Sequence, residues 1–178
     1  VTLNEAREIV HLMPMQSLAF GERNGKMSER VRAIADVFAG GNFGSAASDH
    51  IMQDMWEKWV FLASLAASTS LMRTSVGNIL AAAGGKDFLL GMLDECSAIA
   101  SSEGHAPGGP FFQRAVGMLT TEGSPLTASM YRDIKAGLSV EADHVIGDLV
   151  VRADAAKIPV PKLRIAYTHL KAYEKQRG

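Results

Sequence analysis

The stretch "MWEKWVFLASLAASTSLM", Met55 to Met72, decides the fold class. Apart from Glu57 and Lys58 its residues are apolar, small or hydroxylic, a composition that predicts a helix with almost every face against protein. Lys58 stands between two tryptophans in that helix, and an unpaired buried ammonium is costly. Two readings are open. Lys58 threads its stem past Trp59 and sets its charge in water, or Trp56, Trp59, Val60 and Leu62 wall it in and dry it enough to give up a proton within a catalytic cycle.

Toward the C-terminus the chain stays helical. "SVGNILAAAGG" predicts a short helix ended by Gly84 and Gly85, and "KDFLLGMLDECSAIASSEG" another with Phe88, Leu89, Met92, Leu93 and Ile99 inward. After the "HAPGGP" loop come "FFQRAVGMLTTEG", "LTASMYRDIKAG", "VEADHVIGDLVVRADAAK" and "PKLRIAYTHLKAYEKQ", the last two separated by the prolines of "IPVP". Toward the N-terminus, Ser28 caps "ERVRAIADVF", whose Val31, Ile34, Val37 and Phe38 are placed on one face, and "NFGSAASDH" reads as a short extended connection. Before that the period is that of strands: "REIVHL" and "QSLAFGERNGK", the second running into Asn24-Gly25, a pair suited to a turn with positive φ. So few strands have little to pair with. The expectation is therefore a mainly α chain in which residues 1–26 are the β remnant of a preceding domain and 27–178 form a helical domain, the whole being a piece of a longer protein.

Composition narrows the function classes. With 178 residues, 47% apolar and 21% charged, the chain can bury one ordinary core. A net charge of −1 without a basic block argues against nucleic acid as a partner. The apolar run after Lys58 is too rich in Ala, Ser and Thr for a bilayer helix and is closed by Arg73, and Glu5, Arg7 and Glu8 interrupt any leader-like segment, so no membrane partner is expected. The single cysteine, Cys96, reads as a packed helix residue in a reducing, cytoplasmic setting. The five histidines show no metal-ligand spacing, no GxGxxG follows a strand, and no metal is expected.

A second group of polar residues lies in "LTASMYRDIKAGLSVEADHVIGD", Leu126 to Asp148. Ser129 and Asp133 share a helix face by their spacing. Glu141 and Asp143 open the next helix as capping acids favoured by its dipole, and Glu141 is also a candidate partner for Lys58.

Taken together, "MWEKWVFLASLA", "LTASMYRDIKAGLSVEADHVIGDL" and "IPVP…AYTHL" resemble the C-terminal domain of the ketopantoate reductases (2-dehydropantoate 2-reductases), and "IVHLMPMQSLAFGERNG" looks like the last strands of that family's N-terminal domain. The resemblance implies a Rossmann-type half that binds NADPH and an all-helical half of the 6-phosphogluconate dehydrogenase C-terminal type, with the site in the cleft between them. It implies that Lys58, matching the "W-x-K" lysine, is the general acid to a ketone that receives hydride from NADPH. Ser129, matching the serine of "S-S-M-x-x-D", would hold substrate, and Glu141, matching the glutamate of "T-E-I-D-x-x-N-G", would lie near lysine and cofactor. Asp133 and Asp143 match acids read as structural. It also implies a homodimer through the helical half.

Three positions depart from the family pattern. Leu62, Ala66 and Leu126 stand where the family has substrate-binding asparagines, and a pocket that has lost amides loses its grip on a polar substrate. A less polar 2-oxo compound is therefore expected, and this chain alone, lacking the phosphate-binding turn, is expected not to bind NADPH well. The competing reading is a non-catalytic helical interaction module that has kept the fold and lost the polar pocket.

Overall fold

Hydrophobic periodicity divides the chain into a short strand-bearing region and a longer helical one, and the computed structural model, which describes residues 2–4, 6–11 and 16–177, resolves into two compact units, Val1–Met52 and Gln53–Gly178. Leu12, the last residue of the first expected strand, lies outside the described residues.

In the first unit β1 (Thr2–Leu3) and β2 (Ile9–Val10) form a small antiparallel pair. The second expected strand is β3 (Ser17–Phe20), followed by a turn in which Gly25, at φ +74°, donates its N–H to the Glu22 carbonyl at 2.9 Å. Helix α1 (Glu29–Ala39) then begins as expected, with the Ser28 hydroxyl accepting the Val31 N–H at 3.2 Å. Its buried stripe differs from the expected one. Val31 is buried, but Val37 is 76% exposed, because the stripe follows the positions three, four and seven residues after Val31, and Val37 falls between them.

The segment read as an extended connection holds a strand, β4 (Gly44–Ala47), which pairs in parallel with β3 from Ser17–Gly44 to Phe20–Ala47. Parallel strands need a crossover, and α1 supplies it. Phe38 of α1 is closed in by Phe20 and Phe43 at ring-centroid distances of 5.7 and 5.5 Å. The compact unit therefore runs past residue 26 to Met52, because β3 finds its partner on the far side of α1.

The second unit is helical. Long α2 (Ile51–Met72), which begins within the first unit, is followed by α3 (Val76–Ala81), α4 (Gly85–Ser102), α5 (Gly109–Leu119) and α6 (Ser129–Lys135). A π-helical turn at Asp143–Gly147 then runs directly into α7 (Asp148–Ala156), and α8 (Pro161–Arg177) ends the chain. Helix α4 is central, packing against α3, α5, α7 and α8 with Leu89, Met92, Leu93, Cys96 and Ile99 fully buried. Cys96 is a core residue, and burial pushes its thiol up to about 12.

Residues Ala63 to Ser70 of α2 are all buried, as their small size predicts. Their hydroxyls are partly met within the helix: Ser64 donates to the Val60 carbonyl and Thr69 to that of Leu65, each at 2.7 Å. Gly85, read as the end of α3, instead opens α4; a Cβ there would lie 1.7 Å from the Ile79 carbonyl oxygen, so only glycine admits this close turn. Among the described residues no helix is long and apolar enough to cross a membrane.

Candidate functional site

The rotation of α2 about its axis decides where Lys58 goes. Gln53, Trp56 and Glu57, spaced three and four apart, all face the loop between α4 and α5. The Gln53 amide donates to the Ala106 carbonyl at 3.0 Å, Glu57 accepts the Gly108 N–H at 2.9 Å, and Trp56 stacks on His105 at 5.4 Å. Arg152 of α7 covers both indoles, 5.4 Å from the Trp56 ring and 5.6 Å from that of Trp59. With that side engaged, Met55, Lys58 and Leu62 form an exposed strip.

Lys58 is therefore exposed, and it makes no hydrogen bond or ion pair among the described residues, with Glu141 or any other acid. The expected enclosure by Trp56, Trp59 and Val60 is corrected: residues one or two apart in a helix do not share a face. Of the expected walls only Leu62, four residues on, lies on the lysine's own side. The stem does not need to pass Trp59 either.

One turn beyond Lys58 the strip leads into a cavity of about 350 Å³. From α2 come Leu62, Leu65 and Ala66; from the approach to α6 and its first turns come Thr127, Ser129, Arg132 and Asp133; Glu141 and Val145 complete it from the π-helical region. The structure thus brings Ser129, Glu141, Leu62 and Ala66 to one cavity from three separate segments. Leu126 is not among its lining residues. It packs against the core, and its carbonyl accepts the Val76 N–H at 3.0 Å, so its neighbour Thr127 takes the place expected for it.

The walls are held by specific bonds. The Thr69 hydroxyl, already donating within α2, accepts the Ala128 N–H at 3.3 Å and ties the start of α6 to α2. Within the π-helical turn the Val145 N–H donates to the Glu141 carbonyl at 3.0 Å, and the Val145 carbonyl accepts the Trp59 indole N–H at 2.9 Å. On the other flank Asp143 accepts the Tyr167 hydroxyl at 2.7 Å and the Lys171 ammonium at 3.0 Å. Tyr167 first, and Lys171 next, hold the Asp143 carboxyl below the usual carboxylate range. Asp143 is thus structural, as read, though it acts by pinning the turn to α8.

Sequence reasoning missed Thr127, Arg132 and the Trp59–Val145 bond. Arg132 had a signal, since it lies three residues after Ser129 and so shares its face. The indole bond had none, because it joins elements far apart in the chain. A larger concavity of about 550 Å³ beside α3 gathers Lys86, Thr120 and Glu122 and none of the residues above. Among the described residues no cluster of His, Cys, Asp and Glu could hold a metal ion.

Comparison with known proteins gives the family and the fold. The family described as "Ketopantoate reductase PanE/ApbA C terminal" matches residues 50–174. The chain is 30% identical over 175 residues to the uncharacterized oxidoreductase YkpB of Bacillus subtilis (strain 168), covering 98% of this chain and 58% of that protein, so it spans little more than half the length of this curated relative. Its fold is similar to that of a PanE/ApbA family ketopantoate reductase from Ralstonia eutropha JMP134, with a TM-score of 0.79 at 21% identity over 92% of this chain and 53% of that one. It is also similar in fold to D-mandelate dehydrogenase solved with NADH and anilino(oxo)acetate, with a TM-score of 0.80 at 14% identity, covering 99% of this chain and 72% of the other. The family's match over residues 50–174, most of this chain, together with the helical fold, places this chain in the ketopantoate reductase family of oxidoreductases, whose C-terminal domain it carries.

Proposed function

We propose that the chain is the substrate-binding half of an NADPH-dependent reductase of 2-oxo acids. The observation that carries this reading is the cavity that unites Ser129, Glu141, Leu62 and Ala66 one helical turn from Lys58. In it the substrate ketone lies toward the α2 strip, Ser129 donates a hydrogen bond to substrate, and Lys58 protonates the oxygen as hydride arrives at the carbonyl carbon. Hydride chemistry belongs to the nicotinamide, and the protein's share is orientation and the proton.

Lys58 is exposed on this chain, so its working environment is completed by the cofactor-bearing part of the protein, with Glu141 as its partner and as a contact to the cofactor. The strand-bearing first unit is the end of that part, since two-stranded pieces are marginal by themselves. Dimerisation through the helical unit and a cytoplasmic setting complete the reading.

The test is oxidation of NADPH by the complete protein with a panel of 2-oxo acids. Lys58→Ala should lower kcat by about a hundredfold or more, the usual loss of a general acid, with the fold intact by circular dichroism. Turnover retained in that variant removes Lys58 from the chemistry. The exposed and unpaired state of Lys58 favours a second reading, a non-catalytic interaction module, for which no 2-oxo acid would be reduced by the complete protein.

A further inference from the structure

We propose that Arg132 anchors the substrate carboxylate, and that the cavity takes 2-oxo acids whose chain beyond the ketone is apolar. The inference rests on the reductase reading and adds to it the group that would orient the substrate.

Arg132 sits on the same face of α6 as Ser129. Its Nη1 donates to the Thr127 carbonyl at 3.1 Å and lies 3.4 Å from the Thr127 hydroxyl. Those contacts draw the side chain back along α6 to the segment where Thr127 and Ser129 line the cavity. A guanidinium carries five N–H donors, so most remain for a ligand. Arg30, Arg152 and Arg164 are each held by an acid, whereas Arg132 has no ion pair among the described residues.

Charge decides the orientation. Arg132 is the only cationic residue among the lining residues, and Asp133 and Glu141 repel an anion. Among the lining residues Arg132 alone offers a positive charge to an entering carboxylate, and its planar fork suits bidentate recognition. The rest of the substrate meets Leu62, Leu65, Ala66 and Val145, which offer side chains without hydrogen-bonding groups. At about 350 Å³ the cavity is at the small end of ligand sites, which suits a compact acid with a branched aliphatic or aromatic chain.

The experiment is calorimetric titration of the complete protein with a 2-oxo acid bearing an isobutyl group, and with the methyl ketone of the same chain, which lacks the carboxylate. Arg132→Met should weaken binding of the acid by about tenfold to a hundredfold, the range for a lost charge-assisted bond, and leave binding of the ketone unchanged. Arg132→Lys should recover part of the loss. In steady state the same factor should fall on KM, with kcat little altered, because Arg132 handles no proton.

Unchanged acid binding in Arg132→Met, or a wild-type protein that binds acid no better than ketone, overturns the inference. Arg132-dependent binding without turnover defeats the reductase reading alone. Turnover with an unaltered KM in Arg132→Met defeats this inference alone. Because Arg132 is exposed, its substitution should leave folding unaffected.

Discussion

Glu95 reaches from α4 to the first turn of α8, where its carboxylate accepts the N–H groups of Lys162 at 3.1 Å and Leu163 at 2.9 Å. The Lys162 ammonium lies 3.6 Å from the same oxygen that accepts the Lys162 N–H. The carboxylate is nearly buried and satisfies two of the donors that every helix leaves open at its start. Glu95→Ala should therefore destabilise the chain by about 2–3 kcal/mol, as expected for charged hydrogen bonds lost inside a protein, read as a lower urea midpoint at unchanged m. Glu95→Gln keeps one acceptor and should lose less. At this scale the sequence revealed which residue types carry chemistry, but not their environments. Lys58 was legible as the lysine to watch, and which of its two readings holds, water or enclosure, was not. Leu126 was legible as a missing amide, and its turn toward the core was not.

Two elements carry most of the site. Helix α2 is long, and its buried run from Ala63 to Ser70 is built mostly of small residues, so its existence and an end near Arg73 followed from composition. Its rotation did not. The π-helical turn is the other case: "EADHVIGDL" reads as the start of a regular helix, and nothing in its residues announces the extra one. What stabilises it lies elsewhere, in the Trp59 indole on one flank and Tyr167 and Lys171 on the other. Trp59→Phe keeps the ring beneath Arg152 and removes only the N–H donor. It should cost about 1 kcal/mol, and amide exchange should quicken in residues 143–147 while the rest of α7 is unaffected. Gly85→Ala tests the turn between α3 and α4. With a backbone oxygen where the methyl would go, either helix must move, and a loss of about 3 kcal/mol is expected in thermal denaturation.

Across the whole molecule, ion pairs and a histidine link distant elements, and they make stability depend on pH. The His169 Nε2 of α8 accepts the Arg73 guanidinium N–H at 3.2 Å just after α2, which requires a neutral ring. Burial, and then Arg73, hold the His169 ring below the usual histidine range. A depressed folded value means that the contribution is present above the unfolded value and is lost as pH falls through the folded one. Asp143 follows the same sign in the more acidic, carboxylate range. Melting temperature should accordingly drop in two steps on acidification. His169→Phe should abolish the earlier step and Asp143→Asn should flatten the later one.

The sequence by itself determined the family, the helical character, the approximate span of nearly every helix and the identity of Lys58, Ser129 and Glu141, on which the proposed chemistry rests. Hydrophobic period, capping residues and motif spacing are local, and a local signal survives without knowledge of the neighbours. Only the tertiary structure decided that β3 pairs with β4 across α1, that Lys58 faces outward and Leu126 inward, and that Arg132 joins Ser129 and Glu141 at one cavity. Those outcomes depend on how each helix is turned about its axis and on which distant groups meet, and packing sets both.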